Sequence, residues 1–576
     1  MTKDSEIWIR PGPIRSKAAQ RVRPFVHQAL AAAQKAGATV RHGQLKSGKS
    51  HFGRGRAASL RANRLLTNRI RQAVVKAHVV RHRGQPVPLK AHLRYLQREG
   101  VTQDDTKAKL FGPGTDEADG SAFAERTADD RHHFRFIVSP DDAAQMEDLK
   151  AFTRDLMNQA EQDLGTRLDW VAVDHWNTEH PHIHVVVRGK TDQGDDLVIS
   201  RDYIKEGLRA RAQNLITLEL GERTDLDIRR TLQRQIESDR LTQLDRQMLS
   251  DQTRTGFVDL APPSAGPPDE LHVLKAGRMR KLERLGLASQ FAPAQWIISE
   301  QASTVLRELG ERNDIIKRIH RGLTEAGIER ATTAFALDET AAPASIVGRL
   351  VDRGLDDELK GSAYVIIDGT DGRTHHVRLP TLEASGDAQA GAIVEVQQTA
   401  EDSNRAPRLL VRSDLPIDRQ VMAVGATWLD RVAVSGETET LASTGFGAEA
   451  RQAIRQRAAF LADIDLADER SGSYAYARDL LSVLKRHEFA AVTADIAEEI
   501  DRSYTAAVPG GYASGTYVRR INLASGRFAM LDDSRSFTLV PWSPSMDSRL
   551  GQHIAGVVRG NGSVDWSFNR KRDLGL

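Results

Sequence analysis

Residues 168–189, LDWVAVDHWNTEHPHIHVVVRG, admit few folds. Two runs rich in β-branched residues, WVAVDH and HIHVVVR, flank the six residues WNTEHP. Side chains of a strand alternate between faces, so His182, His184, Val186 and Arg188 share one face and Ile183, Val185 and Val187 the other. If the two runs pair as a hairpin, His175 at the end of the first lies across from His182. Three imidazoles then converge on one point of a sheet surface. Neutral imidazoles in that arrangement make a divalent-cation site with open positions, which a substrate oxygen needs. The chain has no cysteine, so any metal site must use His, Asp or Glu, and disulfides and thiol catalysis are excluded. His180 sits in the turn, as an outer neighbour of the metal, a nucleic-acid contact, or a residue with no role. A His-x-His pair on its own reads as two surface histidines; the third histidine across the hairpin moves the reading to a metal.

The flanking segments extend this unit. HHFRFIV (132–138) alternates Phe134, Phe136 and Val138 on one face and reads as a strand. Ser139 and Pro140 then read as the cap and first turn of a helix that carries Met146, Leu149, Phe152, Leu156, Ala160 and Leu164 at helical spacing. SRDYIKEGLRARAQNLITLEL (200–220) is a further helix. Residues 66–100 read as helical, with Leu89, Leu93 and Leu96 on one face of PLKAHLRYLQREG. The order predicts an α+β fold with a mainly antiparallel sheet and flanking helices.

The rest of the chain divides by character. Residues 1–65 form a basic, largely mobile arm. The first hundred residues hold 22 Lys+Arg against 3 Asp+Glu in a chain whose net charge is +3, a distribution suited to a polyanion. GQLKSGKS (43–50) matches the phosphate-loop pattern but lacks the buried strand before it and the helix after it, so ATP binding is not expected. Residues 66–225 form the domain with the histidines. Residues 226–335 read as a helical connector and a winged-helix-like domain, in which a helix–turn–helix over PDELHVLKAGRMRKLERLG presents Arg278 and Arg280 to DNA or serves a protein–protein contact. Residues 336–415 read as a small strand-rich, barrel-like domain, 416–505 as helical, and 506–576 as β-rich with a basic tail. No strict internal repeat stands out. No apolar run spans a membrane and no signal region opens the chain, which points to the cytoplasm.

HWNTEHPHIHVVV resembles the third motif of the DNA relaxases. These are mobilisation nucleases of the histidine–hydrophobe–histidine (HUH) superfamily, and the match is to the branch of the T-DNA border nickase. His175, His182 and His184 fall on the three ligand positions. The resemblance covers roughly residues 80–220, and the C-terminal part looks like an uncharacterised, DUF3363-like extension. The resemblance implies a tyrosine nucleophile. Tyr95 and Tyr203 are the tyrosines before residue 230. Tyr95, in HLRYLQREG, stands where the family's first motif lies, and His92 one turn earlier is a candidate for its proton. Tyr203 follows the histidines, in the wrong order for the family.

The resemblance further implies nicking of single-stranded DNA at a transfer origin, with a 5′-phosphotyrosyl adduct. Accessory relaxosome proteins and a secretion coupling protein are the implied partners, in a bacterial cytoplasm from which the protein is exported with its DNA. Arg188 and Trp176 are further DNA contacts on this reading. Magnesium or manganese is the implied ion, whereas three imidazoles by their own chemistry suit zinc, copper, nickel or cobalt; the identity stays open. The alternatives are a rolling-circle replication initiator and a non-catalytic DNA-binding regulator of a mobile element.

Overall fold

The computed structural model describes residues 39–41, 44–46, 69–82, 89–97, 107–176, 181–261, 270–337, 345–397, 406–470, 473–560 and 563–567. Most of the expected mobile arm and of the phosphate-loop match, together with His180 and the basic tail, lie outside these residues; within the arm, Thr39–Arg41 and Gln44–Lys46 pair as an antiparallel hairpin. The chain divides into two compact units, Met1–Asp314 and Ile315–Leu576.

The first unit is built on a four-stranded antiparallel sheet. Its strands are β1 (Ala73–Arg81), β2 (His132–Pro140), β3 (Trp170–His175) and β4 (His182–Arg188), in the order β1-β2-β4-β3. β1 corrects the expectation of a helical segment from residue 66. AVVKAHVVR carries four valines, which favour extended backbone, and it pairs along its whole length with β2. The helix of that segment is shorter, α1 (Leu89–Leu96). α2 follows at Gly120–Thr127, with Asp119 accepting from the amides of Ser121 and Ala122. The next helix, α3 (Leu149–Leu164), starts later than Ser139-Pro140 suggests. β2 runs to Pro140, and Asp148 is the cap, accepting from the amides of Lys150 and Ala151. α4 spans Leu208–Leu220, after a π-helical turn at Tyr203–Gly207.

Helices cover both faces of this sheet. On one face Phe134, Phe136, Val138, Ile183, Val185 and Val187 pack with Phe152, Leu156 and Met157 of α3 and Leu208, Ala212 and Ile216 of α4. On the other, Leu89, Leu93 and Leu96 of α1 and Phe123 of α2 pack over Val171, Val173 and Val186. Each fully buried leucine contributes about 2 kcal/mol of transfer free energy. An eight-residue helix is unstable alone, so this seat is what positions α1.

After the sheet come α5 (Asp225–Ile236), α6 (Gln243–Thr255), β5 (Val258–Asp259), α7 (Glu270–Arg284), β6 (Ala288–Ala292) and β7 (Gln295–Ile298). The three strands form a sheet in the order β5-β7-β6. α7 is one continuous helix where a helix–turn–helix was expected: mid-helix Gly277 costs only about 1 kcal/mol, which burial of Leu274, Met279 and Leu282 offsets. α8 (Ala302–Glu325) follows.

The second unit holds two six-stranded sheets with helices between them in sequence. The first comprises β8 (Phe335–Ala336), β9 (Ser345–Asp357), β10 (Ser362–Gly369), β11 (Thr374–Leu379), β12 (Ile393–Gln397) and β13 (Arg408–Ser413), in the order β8-β11-β10-β9-β12-β13. It is an open sheet and corrects the expected barrel: among the described residues β8 and β13 are edges and do not pair. Helices α9 (Ile417–Val421), α10 (Trp428–Ser435) and α11 (Gly445–Asp463) come next, then the hairpin β14 (Ala467–Arg470) and β15 (Ser473–Tyr476), and α12 (Leu480–Ile500). The last sheet has β16 (Ser503–Tyr504), β17 (Tyr512–Leu523), β18 (Gly526–Asp532), β19 (Ser536–Pro541), β20 (His553–Val558) and β21 (Val564–Trp566), ordered β16-β19-β18-β17-β20-β21. Among the described residues no helix is long and apolar enough to cross a membrane.

Candidate metal and nuclease site

β3 and β4 are neighbours, and His175 lies opposite His182 in their register. His184, two residues on, shares their face and stands between Val173 of β3 and Ile137 of β2. The ring centroids of His175 and His184 are 4.5 Å apart, those of His182 and His184 4.9 Å, and those of His175 and His182 5.5 Å. One ring nitrogen from each lies within 4.8 Å of the others. All three side chains are buried.

The donor set fits a divalent ion. His182 Nε2 and His184 Nε2 are 3.1 Å apart. Two nitrogens bound side by side to one ion at about 2.1 Å lie roughly 3.0–3.4 Å from each other, so this pair is already at ligating separation. His175 Nε2 is 2.8 Å from the carbonyl oxygen of Leu96. A carbonyl only accepts, so Nε2 carries the proton and Nδ1 is the lone-pair nitrogen of the neutral ring. A hydrogen bond of this kind orients a metal-binding histidine and sets its tautomer.

Leu96 belongs to α1, and the residue before it is Tyr95. The half-buried Tyr95 therefore stands on the last turn of a helix whose end is hydrogen-bonded to a candidate ligand. His92, one turn earlier, is buried. Tyr203 lies across the sheet from the histidines, against the core beneath α3 and α4. Its hydroxyl donates to Asp163 at 2.9 Å, and Arg211 holds the same carboxylate at 2.7 and 3.0 Å. Burial, and then the Asp163 carboxylate, push the Tyr203 phenol well above its ordinary range.

The expected DNA contacts fare differently. Arg188 shares the histidine face, but its guanidinium forks onto the buried Asp130 at 2.7 and 3.0 Å, a bond that raises its pKa. Trp176 is half-buried against the core, and its indole N–H donates to Asp174 at 2.6 Å. Arg280 is exposed on α7. Arg278 corrects the expectation: it is fully buried, and its guanidinium is spent on Asp245 and three backbone carbonyls, so it has no face toward DNA.

The reverse side of HHFRFIV adds residues beyond those expected from the sequence. While Phe134 and Phe136 face the core, His133 and Arg135 face the histidine side, Arg135 opposite both Val186 and His78 and His133 opposite Arg188. Arg135 donates to His133 at 3.2 Å, whose other nitrogen meets His82 at 2.8 Å. Burial, and then Arg135, lower the His133 pKa to about 2. Lys76 and His78 of β1 belong to the same face. The strand alternation was the available signal, and it needed the strand order to be useful.

Residues 117–215 match the relaxase family described as MobA/VirD2-like, nuclease domain. Residues 275–411 and 400–575 match DUF3363, a protein family of unknown function, and together they cover more than half of the chain. The chain belongs to the DUF3363 family and carries a MobA/VirD2-like relaxase nuclease domain. No curated protein and no solved structure matches it. A relaxase nuclease domain implies DNA nicking for mobilisation. The matched nuclease stretch contains all three histidines, while Tyr95 lies before it.

Proposed function

We propose that this relaxase cuts one DNA strand at a transfer origin by transesterification, with Tyr95 as nucleophile and His175, His182 and His184 as ligands of a divalent ion. The observation that carries the reading is the bond from His175 to the Leu96 carbonyl, which ties the helix of Tyr95 to the histidine cluster. An ion held there supplies Lewis-acid stabilisation of the scissile phosphate.

The phenol, with an ordinary pKa of about 10, gives up its proton as its oxygen attacks phosphorus. The bond from phosphorus to the 3′ oxygen breaks, the departing strand takes a proton as a 3′-hydroxyl, and the 5′ phosphate stays on Tyr95. One phosphodiester replaces another, so the step is close to thermoneutral and runs in reverse to rejoin an end. The three imidazoles are buried together on one face of the sheet, and imidazole nitrogens are common ligands of divalent ions. Arg188 and Trp176, with the exposed Arg280 of a winged-helix-like head, are proposed to contact the nucleic acid, and accessory relaxosome proteins and a secretion coupling protein to complete the transfer apparatus.

The test is adduct trapping. The protein is incubated with end-labelled single-stranded DNA carrying its origin, plus Mn²⁺ or Mg²⁺, and run on a denaturing gel. A DNA–protein adduct that disappears with Tyr95→Phe and with chelator supports the reading. An adduct that persists in Tyr95→Phe refutes the assignment of the nucleophile. Tight binding without any adduct supports a regulator instead.

A further inference from the structure

The two sheets of the second unit have the same strand order, and the likeness extends to what precedes each of them. In α6, Thr242 and Asp245 form a reciprocal capping box; in α10, Thr427 and Asp430 do the same. Each aspartate is then forked by a fully buried arginine of a later helix, Asp245 by Arg278 at 2.8 and 2.8 Å and Asp430 by Arg457 at 2.9 and 3.0 Å. The remaining N–H groups of Arg278 donate to the carbonyls of Ile236, Ser238 and Arg240. Those of Arg457 donate to Val421, Ala423 and Gly425. These acceptors stand nine, seven and five residues before the aspartate in both cases. Gln235 accepts from the amide of Leu244 and Gln420 from that of Leu429, again at matching offsets.

The correspondence continues along the chain. Four residues after each arginine, the carbonyls of Leu282 and Leu461 accept from the amides of Leu287 and Leu466, through left-handed Gly286 and Asp465. A hairpin follows each, β6–β7 and β14–β15, and closes with Ser299 donating to Leu287 and Ala477 to Leu466. A long helix comes next, with Leu306 and Leu484 buried at its fifth position.

In the sheets, the short first strand is parallel to its neighbour in each case. The register shifts between Leu350 and Asp352 in one and between Tyr517 and Arg519 in the other, two residues past Gly348 and Gly515. At that bulge Leu350 donates to Ala392 and accepts from Gly391, while Tyr517 donates to Gln552 and accepts from Gly551. A 3₁₀ turn separates the fourth and fifth strands of both. Bulges and irregular bonds are local devices, so their recurrence at one register position goes beyond a shared strand order.

We infer that residues 225–413 and 417–566 are two copies of one module, so that the region of unknown function lies within a tandem pair. The pairing separates scaffold from freely varying positions. Arg278 is scaffold, because Arg457 repeats its every bond. Arg280 is not, since its counterpart is Ala459. Over equivalent stretches, residues 270–298 hold five Lys+Arg against two Asp+Glu and residues 449–477 four against five, so the two heads have diverged in charge. At one close contact the large and small residues have changed places. A Cβ on Gly310 would sit 3.0 Å from that of Arg240, whereas in the second copy the glycine is Gly425 and the large residue is Glu488.

Hydrogen exchange on the full-length protein tests the equivalence, with Asp245→Asn and Asp430→Asn compared with the unsubstituted chain. Asp245→Asn is expected to speed exchange at least tenfold at Leu244 and Leu287, and Asp430→Asn to do so at Leu429 and Leu466, each leaving the other copy as it was. In the unsubstituted chain the bulge amides of Leu350 and Tyr517 are expected to be similarly slow. If either aspartate variant does not fold, Arg278→Lys and Arg457→Lys keep the charge, lose the fork and are expected to give the same paired pattern. Loosening of non-equivalent amides, or one lysine variant tolerated and the other not, overturns the duplication.

Discussion

Leu93→Ala is the sharpest probe of how the nucleophile is placed. Leu93 is 1 % exposed and lies in the middle of α1, between Leu89 and Leu96, over Val171, Val173 and Val186. Truncating a buried leucine to alanine costs about 3–5 kcal/mol. α1 has only eight residues, and a helix of that length has no stability of its own with which to absorb the loss. The expected result is a shift of α1 on the sheet, which moves Tyr95 and the Leu96 carbonyl together. A displacement of about 1 Å at a reacting atom costs on the order of a hundredfold in rate. Loss of the bond that orients a ligand costs roughly ten- to a hundredfold in metal affinity. The assay pairs single-turnover adduct formation with Mn²⁺ titration by calorimetry. Leu156→Ala is the control: Leu156 is also 1 % exposed, but it belongs to α3, which packs on the opposite face of the same sheet. Both variants should lose similar global stability, and only Leu93→Ala should lose adduct rate and metal affinity together. Equal losses in the two would refute the idea that the seat of α1 carries the coupling.

Three further outcomes follow from the same geometry. Tyr203→Phe should leave adduct formation unchanged in the trapping gel and reduce stability by about 1 kcal/mol, the net worth of its bond to Asp163. Gly189→Ala places a Cβ 1.9 Å from the carbonyl oxygen of His132, so the end of β4 must move; a lowered melting temperature, by thermal denaturation, is expected. Burial, and then Arg318, lower the pKa of His376 from 6.5 to about 4, so the folded protein keeps this ring neutral where the unfolded chain protonates it. The unfolded state therefore binds more protons between these values, and stability falls as pH drops through 6.5 toward 4. The loss is about 2 kcal/mol between pH 7 and 5, and His376→Gln should flatten that part of a urea-denaturation profile.

Legibility in the sequence tracked how local each determinant is. The histidine hairpin is local, because strand alternation and a six-residue connection specify which side chains share a face. The leucine stripe of α1 was equally plain. β1 was misread because its valines are interleaved with Lys76, His78 and flanking arginines, and its extended form depends on pairing with β2, some sixty residues later. Arg278 looked like one more cation of a basic helix. Its burial is decided by Asp245, thirty-three residues away, and by three main-chain carbonyls that no residue pattern announces. The repeated module was hidden for the same reason: its copies share caps, a forked arginine and bulge glycines, while the positions between them have changed in size and charge.

The bond from His175 to α1 ends on a main-chain oxygen. Every amino acid supplies that atom, so no exchange of the residue at position 96 deletes it outright. Comparisons that look for residues changing in concert have nothing to register there. What is inherited is the position of a helix end, kept by any set of apolar residues that seats it. The linkage can therefore persist through long sequence drift, and disappear in one step when the helix is displaced.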